Sequence, residues 1–136
     1  MKRIIGIQEV EDIALGAAVL GTGGGGDPYI GRLMASQAIR EHGPVELVTI
    51  DEVADEAMSV SIAMMGAPTV MVEKMPGGQE TISAFEAVQS FLGKKIEYVY
   101  SIEAGGINST IPIALAAQKR LPMIDLDGMG RAFPEI

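Results

Sequence analysis

Four consecutive glycines, Gly23 to Gly26, follow Gly21-Thr22 and run into Asp27-Pro28. A helix interior loses about 1 kcal/mol at each glycine relative to alanine, so a run of this length leaves the helix and forms a loop. Both of its flanks read as helices. Upstream, Val10, Ile13, Ala14, Ala17 and Leu20 recur at spacings of three and four behind the acids Glu9, Glu11 and Asp12, which predicts an amphipathic helix over about residues 10–20. Downstream, Asp27 is an N-cap and Pro28 a first helical residue, opening a helix over 28–42 with Ile30, Leu33, Met34 and Ala38 inward. Gly43-Pro44 ends it.

Beyond this helical pair the pattern becomes that of strands and helices in alternation. Residues 45–50 are short, apolar and partly β-branched, and they stop at Asp51. Residues 58–65 alternate Val60, Ile62 and Met64 with Ser59, Ser61 and Ala63, the period of a strand with one buried face. Gly66-Ala67-Pro68 stops that strand, and residues 69–72 read as a further one ending at Glu73. Pro76-Gly77-Gly78 then turns into a helix over about 79–92, with Ile82, Phe85, Val88 and Leu92 inward and Gly93 closing it. A strand over 98–102 ends at Glu103 and Gly105-Gly106; Asn108 or Ser109 caps a helix to about Lys119, with Pro112 in its early turns. A last strand over 121–124 ends in Asp125. The alternation predicts one α/β domain over residues 1–136, its mainly parallel sheet flanked by helices in three layers.

The chain has 136 residues and a formal net charge of −8, with 48% hydrophobic and 21% charged residues. That composition supports a packed core and argues against disorder. Its ten basic residues are scattered, so no stripe is present to neutralise a phosphate backbone or an anionic membrane; nucleic acid and membrane are not expected partners. Cysteine is absent, which removes disulfides and thiolate chemistry and points to the cytoplasm. Lys2 and Arg3 do not open a signal peptide, because Gln8, Glu9, Glu11 and Asp12 interrupt the run that follows. No apolar stretch approaches the roughly 20 residues a transmembrane helix requires.

In an open parallel sheet, ligands bind outside the carboxyl ends of the strands. Glu73, Glu103, Asp125 and Asp127 all fall at such predicted ends, Glu103 before Ala104-Gly105-Gly106 and the two aspartates just before Gly128, and would share one rim. Carboxylates there can act as general acid and base or hold a hard divalent ion, or else simply cap the next helix. The string from Gly21 to Gly26 also fits G-x-G-x-x-G, with Asp51 downstream, but a dinucleotide fingerprint requires a strand before the first glycine and this sequence offers a helix. Asp27-Pro28 stands where a Walker loop needs Lys and Ser or Thr. What remains for Gly23, Gly24, Gly25, Gly26 and Asp27 is a helix start able to receive an anion or a polarised carbonyl, or a tight loop that lets two helices approach. His42, the sole histidine, belongs at a helix C-terminus as a dipole partner. Met64-Met65 reads as core filling. Arg131 can pair with the nearby acids or clamp a substrate carbonyl or carboxylate.

Four strings considered together, LGTGGGGDPYIGRLMA (20 to 35), MMGAPTVMVEKMPGGQE (64 to 80), IEAGGINSTIPIALAA (102 to 117) and PMIDLDGMGRAFPEI (122 to 136), resemble the N-terminal domain of the S-methyl-thiohydantoin desulfurase family. The resemblance covers nearly the whole chain, in order. It implies a hydrolase-like role on small cyclic amides, in which water attacks the carbon bearing the S-methyl group, releasing methanethiol and leaving a hydantoin. Carried onto this sequence, the residues suited to the task are Glu73, Glu103, Asp125 and Asp127 for catalysis, with Asp125 or Asp127 activating water directly or through a divalent metal, and Asn108 and Arg131 for orienting the substrate. Members of that family continue past Phe133-Pro134-Glu135 into a β-rich second domain. The resemblance therefore implies a partner domain or subunit, and apolar surface that favours a homo-oligomer. The alternative is a non-catalytic binding module of a hydantoinase-type system.

Overall fold

Leu47, Met123, Val99 and Val60 stand side by side across four strands, and this apolar row forms the inner face of the sheet. The computed structural model describes residues 3–133; Lys2, and Pro134, Glu135 and Ile136 of the last motif, lie outside the described residues. The elements in chain order are β1 (Arg3–Ile5), α1 (Ile7–Gly21), α2 (Pro28–His42), β2 (Val45–Val48), a single 3₁₀ turn (Ile50–Glu52), β3 (Ser59–Ile62), α3 (Pro68–Glu73), α4 (Glu80–Leu92), β4 (Tyr98–Ser101), α5 (Ile111–Lys119) and β5 (Met123–Asp127). The sheet order is β1-β2-β5-β4-β3. β1 runs antiparallel to β2, and the other neighbours are parallel, as the alternation of strands and helices predicts.

α5 occupies the centre. Every residue from Ile111 to Ala117 is buried, which marks a helix enclosed on all sides rather than one with a solvent face. Its inner side lies on β2, β3, β4 and β5, and its outer side is covered by α2. α2 comes close because small residues face α5: Gly31, Ala35 and Ala38 are buried, and a Cβ on Gly31 would run into the Thr110 hydroxyl. α1 packs against α2, and Phe85 carries α4 into the same core. The layers are thus the sheet, α5 upon it, and α2 with α1 outside.

Several local expectations change. Residues 69–72 belong to helix α3, not to a strand, because Pro68 at a first helical position opens a helical turn and four apolar residues carry no period able to distinguish the two. Asp125 lies inside β5, which begins two residues later than predicted and runs on to Asp127. The residue before α5 is Thr110, and neither Asn108 nor Ser109 caps that helix. The buried stripe of α2 is rotated from the predicted one, with Leu33 exposed and Ile39 buried, and on α4 Val88 and Leu92 face outward. β1 has no counterpart in the sequence reading, and its three residues are too few to show a period.

Candidate functional site

The parallel strands β3, β4 and β5 end at one edge of the sheet, and there the two glycine-rich segments of the chain meet. Gly24 O accepts from Gly106 N at 3.1 Å, and Gly25 O accepts from Ile107 N at 2.7 Å and Asn108 N at 3.2 Å. The contact is backbone on backbone. A Cβ on Gly105 would stand 2.6 Å from the Gly25 Cα, and one on Gly26 would stand 2.5 Å from the Ile107 side chain; Gly25 and Gly26 also adopt positive φ, at 72° and 86°. Asp27 caps α2, its Oδ1 accepting from Tyr29 N at 2.8 Å. Gly23 is exposed on the outer side of the loop.

Behind this joint lies a buried carboxylate. Glu103 is 3% exposed; its Oε1 accepts from Asn108 Nδ2 at 2.7 Å and its Oε2 from Phe133 N at 2.5 Å. No basic side chain pairs with it among the described residues, so N–H donors alone hold the charge. Asn108 in turn spans to the end of β3, accepting from Met64 N at 2.8 Å and donating to Met64 O at 3.3 Å. Two side chains thereby tie together the β4–α5 turn, the exit of β3 and the segment after β5.

The register between β4 and β5 shifts: Val99 pairs with Met123, but Ser101 pairs with Asp127. The irregularity re-aims the side chains around it, as bulges do. Asp127 reaches the rim, where its Oδ1 accepts from Met129 N at 3.0 Å and from Gly130 N, and Gly128 N donates to Ile102 O at 3.0 Å. Asp125 pairs instead with Arg3 of β1. Arg131 is exposed and lies over the Phe133 ring, 5.2 Å from its centroid. Glu73 is exposed at the end of α3 and contacts none of the other candidates.

The structure therefore gathers Gly24, Gly25, Gly26, Glu103, Asn108 and Asp127 at the rim, and leaves Glu73 and Asp125 outside it. No group of three or more His, Asp or Glu side chains able to hold an ion occurs among the described residues, and Asp125 and Asp127 are engaged by separate partners. Sequence reasoning missed the Met64 backbone and the Phe133 N–H, which carry no side-chain signal. It also missed that Gly105-Gly106 is the packing partner of Gly24 to Gly26, although the two glycine clusters are the available clue. His42 lies in the last turn of α2, as expected. No described helix is long and apolar enough to cross a membrane.

Residues 8–136 match the family model described as S-Me-THD-like, N-terminal domain. A crystal structure of a protein from Chromobacterium violaceum shares the fold, with a TM-score of 0.75 at 25% sequence identity, over 97% of this chain and 37% of that one. This chain thus spans little more than a third of the length of that protein. No curated protein matches it.

Proposed function

Because the chain belongs to the S-Me-THD-like N-terminal domain family, we propose that it supplies one wall of a hydrolase-like site for small cyclic amides of the S-methyl-thiohydantoin type. In the reaction, water adds to the ring carbon bearing the S-methyl group. The carbon–sulfur bond then breaks, one water proton leaves with sulfur as methanethiol, the other goes to the ring nitrogen, and the new oxygen becomes the ring carbonyl of a hydantoin.

On this reading Asp127 takes the proton from water, since it is exposed at the rim and its Oδ1 is held by the turn. Arg131 binds a ring oxygen. Asn108 and Glu103 act as positioning residues, because their hydrogen-bonding capacity is spent on each other, on Met64 and on Phe133. Gly23 to Gly26 and Asp27 build the wall beside them.

The remaining groups come from a companion domain or subunit, or from a second copy of the chain. Exposed Met65, Met129 and Phe133 border the rim and suit such a cover. The observation that carries the reading is the family match over residues 8–136. It is tested by titrating the isotope-labelled chain with an S-methyl-thiohydantoin and following backbone amides. Saturable shifts confined to residues 24–26, 64, 103–109 and 127–131 support it; no shift, or shifts elsewhere only, overturns it.

A further inference from the structure

The chain after β5 is held at two separate places. Asp127 Oδ1 accepts from Met129 N at 3.0 Å and from Gly130 N, which fixes the turn to its own strand. Beyond Gly130, the Ala132 methyl is buried and the Phe133 N–H donates to Glu103 Oε2 at 2.5 Å. The Phe133 ring adds little apolar burial of its own, being 40% exposed with the Arg131 guanidinium over it.

The two donors of Glu103 are therefore not equivalent. Asn108 is 4% exposed and locked: its Oδ1 accepts from Met64 N at 2.8 Å, and its Nδ2 donates to Met64 O at 3.3 Å as well as to Glu103 Oε1 at 2.7 Å. Phe133 belongs to a surface segment, pinned among the described residues by this hydrogen bond and the Ala132 methyl. Its withdrawal does not strand the carboxylate, because water or another N–H can reach Oε2 from the side that Phe133 leaves. Hydrating a buried carboxylate that has no basic partner among the described residues offsets part of the bond given up.

What Oε2 receives from Phe133 is the N–H of a secondary amide, and the ring N–H of a cyclic amide is the same kind of donor. A carboxylate repels an anion or a bare carbonyl oxygen, and an N-alkylated ring brings it no hydrogen. Taking the class of ligand from the reading of the rim above, we propose that the Phe133 amide stands in for a ring N–H of the substrate. Residues 131–133 form a strap that pivots at Gly130, and Glu103 Oε2, once uncovered, binds the ring N–H of a cyclic amide. Glu103 thereby selects rings with a free N–H, and the strap competes with them for one acceptor.

The strap is tested first without ligand. In hydrogen exchange, the Phe133 amide should open locally, with a protection factor at least about 100-fold below that of Val99. Hydantoin and N,N′-dimethylhydantoin, one ring with and without N–H, are then titrated into the full chain and followed by NMR. Hydantoin should shift the Phe133 amide saturably and lower its protection further, with the dimethyl ring at least about tenfold weaker. Glu103→Gln separates the two oxygens. Because Met64 fixes the Asn108 amide, the new side chain turns its oxygen to Asn108 and its NH2 group to Phe133, so the hydantoin response should vanish while the Met64 amide stays protected. Equal protection of Phe133 and Val99, no response to hydantoin, equal responses to the two rings, or an undiminished response in Glu103→Gln overturns the proposal. These readouts use Phe133 and a ring without sulfur, so they can fail while residues 24–26 still respond to an S-methyl-thiohydantoin, and the reverse.

Discussion

The Asn108 amide donates to the buried Glu103 carboxylate at 2.7 Å, at the point where the β4–α5 turn, the end of β3 and the segment after β5 converge. Removing the carboxylate strands an Asn108 Nδ2–H in the interior and releases the Phe133 N–H at its margin. Glu103→Leu is expected to lower unfolding stability by about 2–4 kcal/mol in urea titrations. Hydrogen exchange at the Phe133 amide should accelerate further than that at the Val99 amide. Unchanged Phe133 protection would show that Glu103 does not hold the segment after β5.

The glycine joint makes opposite forecasts for two alanine substitutions. At Gly25, a Cβ would strike the Gly105 backbone from a residue with φ of 72°, so Gly25→Ala should cost at least about 2 kcal/mol. At Gly16, inside α1, a Cβ meets nothing within 4 Å, and Gly16→Ala should stabilise by about 0.5–1 kcal/mol. Thermal melts of the pair check both signs.

Asp127 and Asp125, two residues apart on one strand, should separate in function. Asp127→Asn keeps an oxygen for the Met129 and Gly130 amides, so the fold persists; on the proposed function, hydrolysis of an S-methyl-thiohydantoin, assayed with an added companion domain, falls at least about 100-fold. Asp125→Asn breaks the exposed pair with Arg3, costs less than about 1 kcal/mol and leaves the rate intact. Methanethiol release measures both, and a full rate in Asp127→Asn would remove that residue from the mechanism.

Acid should weaken the turn before α4 through Glu80. Backbone N–H groups, that of Gly77 foremost, hold the Glu80 carboxyl below the usual glutamate range. A carboxyl lowered on folding contributes stability that is complete above its unfolded value, about 4.3, and is lost as pH falls through the lower folded value. Glu80→Gln should therefore flatten this part of the acid limb and leave the pH dependence of stability above about pH 6 unchanged. Carbon-detected titration of Glu80 should show a midpoint below that of a free glutamate.

The legible parts of this fold were those with a local cause. Asp27-Pro28 and Gly43 set both ends of α2, and the alternation in residues 58–65 located β3. The parallel sheet followed from their succession. The failures share a different origin. Four residues such as 69–72 fit either period, and only tertiary packing decides between them. The rim acids looked equivalent because a sequence reveals neither the register shift that pairs Ser101 with Asp127 nor the contact of Asp125 with Arg3. Glu103 reads as one rim acid among four, because its partner Phe133, and Met64 as the partner of Asn108, contribute main-chain atoms, which any residue could supply.

β5 is the last in sequence of the five described strands of the sheet and the third across it, between β2 and β4. Without it, β1 with β2 and β3 with β4 would be two separate strand pairs, each with an open edge. Completion of the sheet thus waits on residues 123–127, and the pairing of Leu47 with Met123 spans most of the sequence. Such long-range closure slows folding and extends the time in which edges can pair with other chains, so synthesis at low temperature or with chaperones should raise the soluble yield.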